Sequence, residues 1–259
     1  MKLLIICSLL LSAIVLSNAV CNRNVIKYHG EDVVVWFCIR SKDVAADMAR
    51  APKDVKVVVV AYSDVGVLKN DVMTPVADNV RVLSIVHSNM MDMEDDALKG
   101  MVNLKRLVVS HNKLKKVKAA WFKDAVNVRM VDFSDNEVEV VEDDVAELWK
   151  NVEMMHMSGN DVKCVSVDFM NHMTKLKHVD MEMNPWHMRC FKDLMVWMKE
   201  KELISEKFGK LVNSKMMVQV DVCVKEMKKD DKVDDVVVDK CVMDFLDKMM
   251  VDKEVDVVV

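Results

Sequence analysis

Apolar and polar residues follow one another along the middle of the chain in an order that repeats. From Leu104, apolar residues occupy positions one, four and six of a unit (Leu104, Leu107, Val109), and Asn112 occupies position nine. Copies of this unit begin at Val55, Val80, Leu104, Val128, Val152 and Leu176, the last five at intervals of 24 residues. A regular repeat of this length predicts units that stack, each burying its apolar residues against its neighbours. We therefore expect residues 55–183 to form one continuous array.

The spacing within each unit also predicts its local structure. Positions three to seven should form a short strand, and the strands of successive units should run parallel in one concave sheet. Position nine should be structural, because an asparagine amide can satisfy backbone groups at the turn of its own unit and of its neighbour. Four units have asparagine there, and the first two have serine: Asn112, Asn136, Asn160 and Asn184, after Ser63 and Ser88.

This unit is typical of leucine-rich repeat proteins, which the chain resembles over these residues. The resemblance implies an α/β solenoid, a leucine-rich repeat horseshoe with a parallel concave β-sheet and a helical, disulfide-linked carboxy-terminal cap. Valine and methionine take most of the places that leucine has in that family. Valine suits strands and methionine fills gaps, so we interpret both as core residues.

Residues 1–19 have the features of a secretory signal peptide. Lys2 supplies a positive charge, residues 3–16 are largely apolar, and residues 17–19 form a small-residue cleavage site. Cleavage after Ala19 would leave six of the seven cysteines, an even number that predicts disulfides in an oxidising compartment. No later segment reaches the ~18 apolar residues of a membrane-spanning helix. We therefore expect a secreted, extracellular protein.

Residues 20–54 are expected to form an amino-terminal cysteine cap, because the first apolar unit of an array would otherwise meet water. Within them, residues 33–37 are apolar and predict a strand. A Cys21–Cys38 disulfide would enclose this strand, and by a chain-entropy estimate it would stabilise the protein by about 3 kcal/mol.

Residues 184–241 are expected to form a cysteine-rich carboxy-terminal cap. The motif Asn184-Pro185-Trp186 ends the last unit, and four apolar residues then recur at helical spacing: Phe191, Leu194, Met195 and Met198. The segment resembles the cysteine-rich carboxy-terminal flank of extracellular leucine-rich repeat proteins, which begins Asn-Pro-Trp-x-Cys-x-Cys. That resemblance implies a Cys190–Cys241 disulfide.

The first cysteine of that family pattern is Met188 in this chain, which leaves Cys223 without the partner that it has in the family. Cys164 and Met188 both occupy position thirteen of consecutive units, so they should stack. We therefore predict a Cys164–Cys223 disulfide, which needs a Cα separation under about 7 Å. Two alternatives stay open: both cysteines are free, or Cys223 is bonded to Cys190.

The end of the chain is charged and then amphipathic. Residues 225–240 are densely charged and are expected to form a solvated loop. Residues 242–259 are expected to form a tail with a short amphipathic helix, because five apolar residues share one helical face: Val242, Phe245, Leu246, Met249 and Met250. This helix would pack on the cap or pair with another chain.

Side chains at positions three, five and seven of each unit should face the concave side of the sheet. They are apolar in the first units and polar, partly acidic, in the last ones. Neighbouring strands lie about 4.8 Å apart, so the side chains of one row are close together. We predict that nine of these residues bind a partner: Val82, Arg106, Val108, Met130, Asp132, Met154, His156, His178 and Asp180.

Asp132, His156 and Asp180 fall in one row beside His178, which would also suit a metal ion or a pH-sensitive site. We favour a solvated polar patch, because ligands on a solvent-facing sheet lack the supporting hydrogen bonds of a metal site. No nucleophile elbow or zinc motif occurs, and 5 glycines leave little material for phosphate-binding loops. We therefore expect no enzyme activity, no cofactor and no metal.

Charge argues against one further class of partner. The formal net charge is −5, and it becomes −6 if Lys2 is lost with the signal peptide. A nucleic-acid-binding protein usually has a basic patch and an excess of positive charge. We therefore expect an extracellular protein as the partner and no nucleic acid.

Taken together, the 24-residue units, the Asn184-Pro185-Trp186 cap with Cys223 and Cys241, and the cysteine-containing amino-terminal segment resemble the secreted leucine-rich repeat proteins of insects. Mosquito leucine-rich immune proteins are one candidate group, and that resemblance implies binding of complement-like factors. Our first hypothesis is a secreted module that binds a protein through its concave sheet. The alternative is a structural, self-associating homo-oligomer, assembled through the carboxy-terminal helix or through free cysteines.

Overall fold

The computed structural model describes residues 20–203, 215–227 and 233–254. The predicted signal peptide, residues 1–19, lies outside the described residues, as do residues 255–259 of the predicted tail.

The described chain winds through successive turns that share one eight-stranded sheet. Its strands, in spatial order, are β1 (Val20–Tyr28), β2 (Glu31–Ile39), β3 (Val57–Ala61), β5 (Val82–Val86), β7 (Arg106–Val108), β9 (Met130–Asp132), β11 (Met154–His156) and β12 (His178–Asp180). β1 pairs antiparallel with β2, and every later pair is parallel. The predicted α/β solenoid with a parallel sheet is therefore confirmed.

Shorter elements complete each turn on the side away from this sheet. Two small parallel sheets join neighbouring turns, β4 (Val67–Leu68) with β6 (Asp92–Met93) and β8 (Lys116–Val117) with β10 (Val140–Val141). The helices of the turns are α1 (Val44–Ala49), a 3₁₀ turn (Ala119–Phe122), α2 (Val145–Leu148) and α3 (Val167–His172). The carboxy-terminal helices are α4 (Met188–Glu200), α5 (Lys215–Met227) and α6 (Asp235–Glu254).

A single hydrophobic core runs through the stacked turns from β2 to α4. Position four of the units is buried in every turn, as at Leu83, Leu107 and Val131. The largest gaps are filled by aromatic rings: Trp149 packs edge-on against Phe122 with ring centroids 5.3 Å apart. Burying a large apolar side chain stabilises the fold by about 1.5–3 kcal/mol, so the units hold each other in place.

The asparagines at position nine lie in one column and join each turn to the one before it. The side-chain oxygen of Asn136 accepts from the backbone N–H of Leu114 at 3.0 Å, and its amide donates to the carbonyls of Val109 (2.8 Å) and Phe133 (2.9 Å). Asn160 and Asn184 make the equivalent bonds. Backbone groups that are buried at each turn are thereby satisfied.

The amino-terminal segment is more than a cover, because β2 continues the sheet. Trp36 pairs in register with Val58 of β3, and β1 then folds back on β2 as a hairpin. The Cys21–Cys38 disulfide links directly opposed residues of this hairpin. The first unit predicted from the sequence is therefore preceded by two further strands of the same sheet, β1 and β2.

The two disulfides predicted for the carboxy-terminal cap, Cys190–Cys241 and Cys164–Cys223, are both wrong. The structure pairs Cys164 with Cys190 (Cα–Cα 5.3 Å) and Cys223 with Cys241 (6.0 Å). Helix α4 begins at Met188, so Cys190 in its first turn lies where Cys164 can reach it. Cys164 does lie near the start of α4, as its predicted stacking on Met188 implied, but its partner is Cys190 and not Cys223.

The Cys223–Cys241 disulfide depends on helices in a segment that we expected to be a loop. Much of residues 225–240 is helical, since α5 ends at Met227 and α6 starts at Asp235. The two helices pack against each other, and this brings Cys223 beside Cys241. The predicted boundary between cap and tail, at residue 242, consequently falls inside α6, which is longer than the short helix that we expected.

Candidate functional site

The concave face of the sheet is a regular grid because every strand repeats the register of its neighbour. Position three of the units forms one row and position five forms a second. All nine predicted binding residues lie in these two rows on the same face: Val82, Arg106, Met130, Met154 and His178 in the first, and Val108, Asp132, His156 and Asp180 in the second. Their side chains are half-buried, except that of His178, which is exposed.

The carboxy-terminal half of this face is polar. His156 lies between Asp132 and Asp180, and its Nδ1 is 3.9 Å from the Asp180 carboxylate. The Asp132 carboxylate instead accepts from the backbone N–H (2.9 Å) and the hydroxyl (2.7 Å) of Ser134. The rings of His156 and His178 are 5.1 Å apart. These groups remain open to water and offer charge and hydrogen bonds to an incoming surface.

The amino-terminal half of the face is apolar, and it extends further than the sequence analysis predicted. Val35 and Phe37 of β2 pack beside Val57 and Val59 of β3, and each is only 6–8% exposed. Four partly buried apolar residues surround them: Ile26, Val33, Ile39 and Val82. The signal for β2 was present in the sequence, because residues 33–37 are apolar at every position, as expected of a strand covered on both faces.

A column of polar and aromatic side chains borders the sheet at position eight, which we call the rim ladder: Tyr62, His87, His111 and Asp135. The ring of His87 stacks on Tyr62 (centroids 5.0 Å apart) and on His111 (4.2 Å). His111 Nδ1 is 3.3 Å from Asp135 Oδ2. All four residues have positive φ angles of 49–55°. This column lies outside the binding residues that were predicted from the sequence.

The rim ladder lowers the pKa of one of its own members, His87, and it ends at Gly159. Partial desolvation within the stack, and secondly the positive charge of His111, lower the pKa of His87, while Asp135 opposes this. The next position of the column is Gly159, where an added Cβ would lie 2.5 Å from the Asp135 carboxylate. Glycine therefore leaves the space that the Asp135 side chain occupies.

The described residues gather one group of potential metal ligands, Cys21, Cys38 and Asp47. The two cysteines form a disulfide, so they are not free to bind a metal. Asp132, His156 and Asp180 do not converge on a common point in the way that a metal site requires. In this structure the three side chains belong to the polar half of the concave face.

Comparison with known proteins agrees with this architecture. Residues 78–138 match a family model described as a leucine rich repeat. This chain has a leucine-rich repeat fold. No curated protein sequence shows significant similarity to the chain. Among the described residues, no helix has both the length and the apolar character needed to cross a membrane.

Solved leucine-rich repeat structures resemble parts of the chain. The crystal structure of the TLR13–ssRNA13 complex matches with a TM-score of 0.52 and 16% identity, over 62% of this chain and 23% of that chain. The crystal structure of the LRIM1/APL1C complex matches with a TM-score of 0.50 and 12% identity, over 59% of this chain and 29% of that chain. The chain thus spans less than a third of either protein, and the likeness concerns the fold alone.

Proposed function

We propose that this protein is a secreted leucine-rich repeat module that binds an extracellular protein through its concave face. The supporting observation is the division of that face into an apolar half, beginning at β2, and a polar half, ending at β12. Leucine-rich repeats generally serve protein–protein interaction, and the matched family model agrees with that role.

The two halves would contribute differently to binding. Phe37 and Val59 are already almost buried, so they form a rigid floor and add little newly covered area. Val108, Met130 and Met154 are half-exposed, and the partner would cover them. Binding energy in such interfaces concentrates in a few central side chains. A preformed sheet loses little conformational entropy on docking.

The polar half would orient the partner. His156, His178 and Asp180 present both signs of charge within one small area, and Arg106 adds a cation beside Met130. Complementary charges increase specificity and the rate of association more than the affinity itself. A partner with matching charges would therefore settle in one register along the rows.

Secretion is part of the proposal. Three disulfides link all six cysteines of the described chain, which suits an oxidising compartment. The predicted signal peptide agrees with it. The resemblance to mosquito leucine-rich immune proteins supports innate immunity as the setting, with a complement-like factor as the class of partner.

The test compares two double variants with the intact protein as bait in extracellular fluid. Met130→Lys with Met154→Lys places two charges in the centre of the concave face. Met91→Lys with Val102→Lys places the same charges at exposed apolar positions outside the two rows (54% and 48% exposed). We expect the first pair to lose the captured protein and the second to retain it. Equal capture by both would exclude the concave face.

Self-association is the second candidate, and one observation favours it. Val236, Val237 and Met243 of α6 are 68%, 48% and 47% exposed. The free-cysteine route to assembly is wrong for the described residues, since their cysteines are all paired. Light scattering of a Val236→Lys, Met243→Lys variant would show a smaller particle than the unchanged protein if α6 mediates assembly, and the same particle if it does not.

A further inference from the structure

In the part of the chain that the structure describes, the last turn of the sheet has backbone N–H groups without the hydrogen-bond acceptor that the equivalent groups find in the turns before it. At position six, the backbone N–H donates to the next turn: Val109 to Asp132 (2.7 Å), Phe133 to His156 (2.9 Å) and Met157 to Asp180 (2.7 Å). At position eight, His111, Asp135 and Gly159 likewise donate to the next turn at 2.8–3.0 Å. In the last turn these positions are Met181 and Met183. Among the described residues, neither N–H finds an acceptor.

Within the described ranges, the backbone carbonyl at position two of the last turn likewise lacks the hydrogen bonds that it accepts in earlier turns. Arg129 and Glu153 each accept two backbone hydrogen bonds from the following turn. The equivalent carbonyl, that of Lys177, accepts none from the described chain. Unpaired groups along a strand edge are a template for another strand. The outer edge of β12 therefore presents the hydrogen-bonding pattern of a missing neighbour.

One group on this edge is already satisfied. The carbonyl of Met181 accepts from the indole N–H of Trp186 at 3.1 Å and from its own Asn184 at 3.0 Å. In the preceding turns, the bond that Trp186 makes here comes from the asparagine of the next unit, as when Asn160 donates to the carbonyl of Phe133. Trp186 thus replaces the next asparagine and leaves the N–H donors open.

A groove of about 790 Å³ runs beside this edge, between β12 and α4. Its walls are mainly apolar and include Val179, Met181, Met183, Trp186, Phe191 and Met195. Met183 at its mouth is 82% exposed. Pockets of this size accommodate a bound segment, and a row of apolar side chains along a strand selects alternate residues of an added peptide.

The two faces of β12 set the chemistry of that peptide. On the concave face, the strand displays His178 and Asp180, Glu182 follows beyond its end, and all three also line the groove. On the other face, Val179 and Met181 point into the core and the groove. Side chains on neighbouring strands lie about 5 Å apart. An added strand would thus meet carboxylates on one face and apolar walls on the other.

We propose that the outer edge of β12 binds an extended peptide segment of a partner protein as a ninth strand, with basic residues alternating with apolar ones. The basic residues face Asp180 and Glu182, and the apolar residues enter the groove beside α4. Binding at this edge is independent of the proposed binding to the concave face, because its main contacts are made by backbone groups at the edge of β12.

The experiment uses the full chain and a defined probe, an acetylated octapeptide that alternates valine with lysine. Hydrogen exchange of the backbone amides of Met181 and Met183 should slow when the peptide is added. A valine–glutamate octapeptide should bind at least about tenfold more weakly, because like charges would face each other. Exchange that is unchanged by the peptide, or already slow without it, would overturn the proposal.

Variants separate this edge from the concave face and from misfolding. Met183→Lys should lower the affinity for the valine–lysine peptide by about tenfold, whereas Met91→Lys should leave that affinity unchanged. Glu182→Lys with Asp180→Lys should reverse the preference toward the glutamate peptide, which an unfolded protein could not do. Met130→Lys with Met154→Lys should bind the lysine peptide normally. Loss of binding in that variant would assign the peptide to the face and reject the edge.

Discussion

The two ends of the sheet are closed in different ways. At the amino-terminal end, β1 and β2 are nine residues long, and β2 continues the register of β3. At the carboxy-terminal end, β12 has three residues, and the helix α4 lies beside it across a groove. The first end extends the hydrogen-bonded sheet, whereas the second covers the core with helices and leaves backbone donors open.

The cores of the two ends also differ. Trp36 and Cys38 of β2 belong to the core that runs through all turns. Val220, Cys223, Val238 and Val242 of α5 and α6 form a separate cluster. Ion pairs between α4 and these helices join that cluster to the rest, as between Arg189 and Asp235 (2.9 Å). We therefore expect the amino-terminal cap to unfold together with the array, and α5 and α6 to open independently of it.

The largest expected effect concerns the column at position nine, where the later turns use asparagine and the earlier ones serine. Asn136→Ala removes bonds to three buried backbone groups and should lower the free energy of unfolding by about 4 kcal/mol. Ser88→Ala removes a hydroxyl that accepts from the N–H of Ser63 and donates to the carbonyl of Val86, and should cost about 1–2 kcal/mol. Urea denaturation measures both.

Asn127→Ala is the control for that pair, because its amide makes one exposed bond to the carbonyl of Val102. It should cost less than about 1 kcal/mol. If Asn136→Ala were no more destabilising than Asn127→Ala, the column would not hold the turns together.

The next effect tests whether the two caps unfold with the array. Cys21–Cys38 and Cys223–Cys241 close loops of almost equal length, with sequence separations of 17 and 18. Chain entropy therefore assigns about 3 kcal/mol to each. Replacing Cys21 and Cys38 by alanine should lower the global free energy of unfolding by about that amount.

Replacing Cys223 and Cys241 by alanine should act locally instead. Global unfolding should change by less than about 0.5 kcal/mol, while amide exchange in α5 and α6 becomes faster. Equal losses of global stability in the two double variants would show that α5 and α6 belong to the same cooperative unit as the repeats.

The smallest effect concerns pH. The pKa of His87 is lowered by partial desolvation and by His111, so the folded state binds fewer protons than the unfolded state just below the ordinary histidine pKa of about 6.5. This contribution is present above that value and is lost as the pH falls from it through the lower pKa of the folded state. His87→Gln should reduce the loss of stability between pH 7.5 and 5.0 by under about 0.5 kcal/mol. An unchanged pH dependence, compared by denaturant titration, would contradict this.

Much of the repeat architecture could be predicted from the sequence, because a fixed period determines register. Once Leu104, Val128 and Val152 are aligned, the neighbours of Met130 in the sheet follow directly. The rows of the concave face could therefore be named in advance, including the positions of Asp132 and His156. Their binding role stays a prediction.

Features without a period could not be predicted in this way. The partners of Cys164 and Cys223 depend on where α4 and α5 lie, and no repeat arithmetic places a helix that occurs once. Residues 225–240 looked like a loop because of their charge, although charge is compatible with an exposed helix. The rim ladder was missed because its side chains differ from turn to turn, while its shared property, a positive φ angle, belongs to the backbone.

The central claim is that a partner covers the concave face, and its methionines allow a direct test. Hydroxyl-radical footprinting with mass spectrometry reports the oxidation of each methionine with and without the captured protein. We predict that the partner protects Met130 and Met154 and leaves the oxidation of Met91 unchanged. Protection of Met91, with Met130 and Met154 oxidised as in the free protein, would contradict the proposed binding surface.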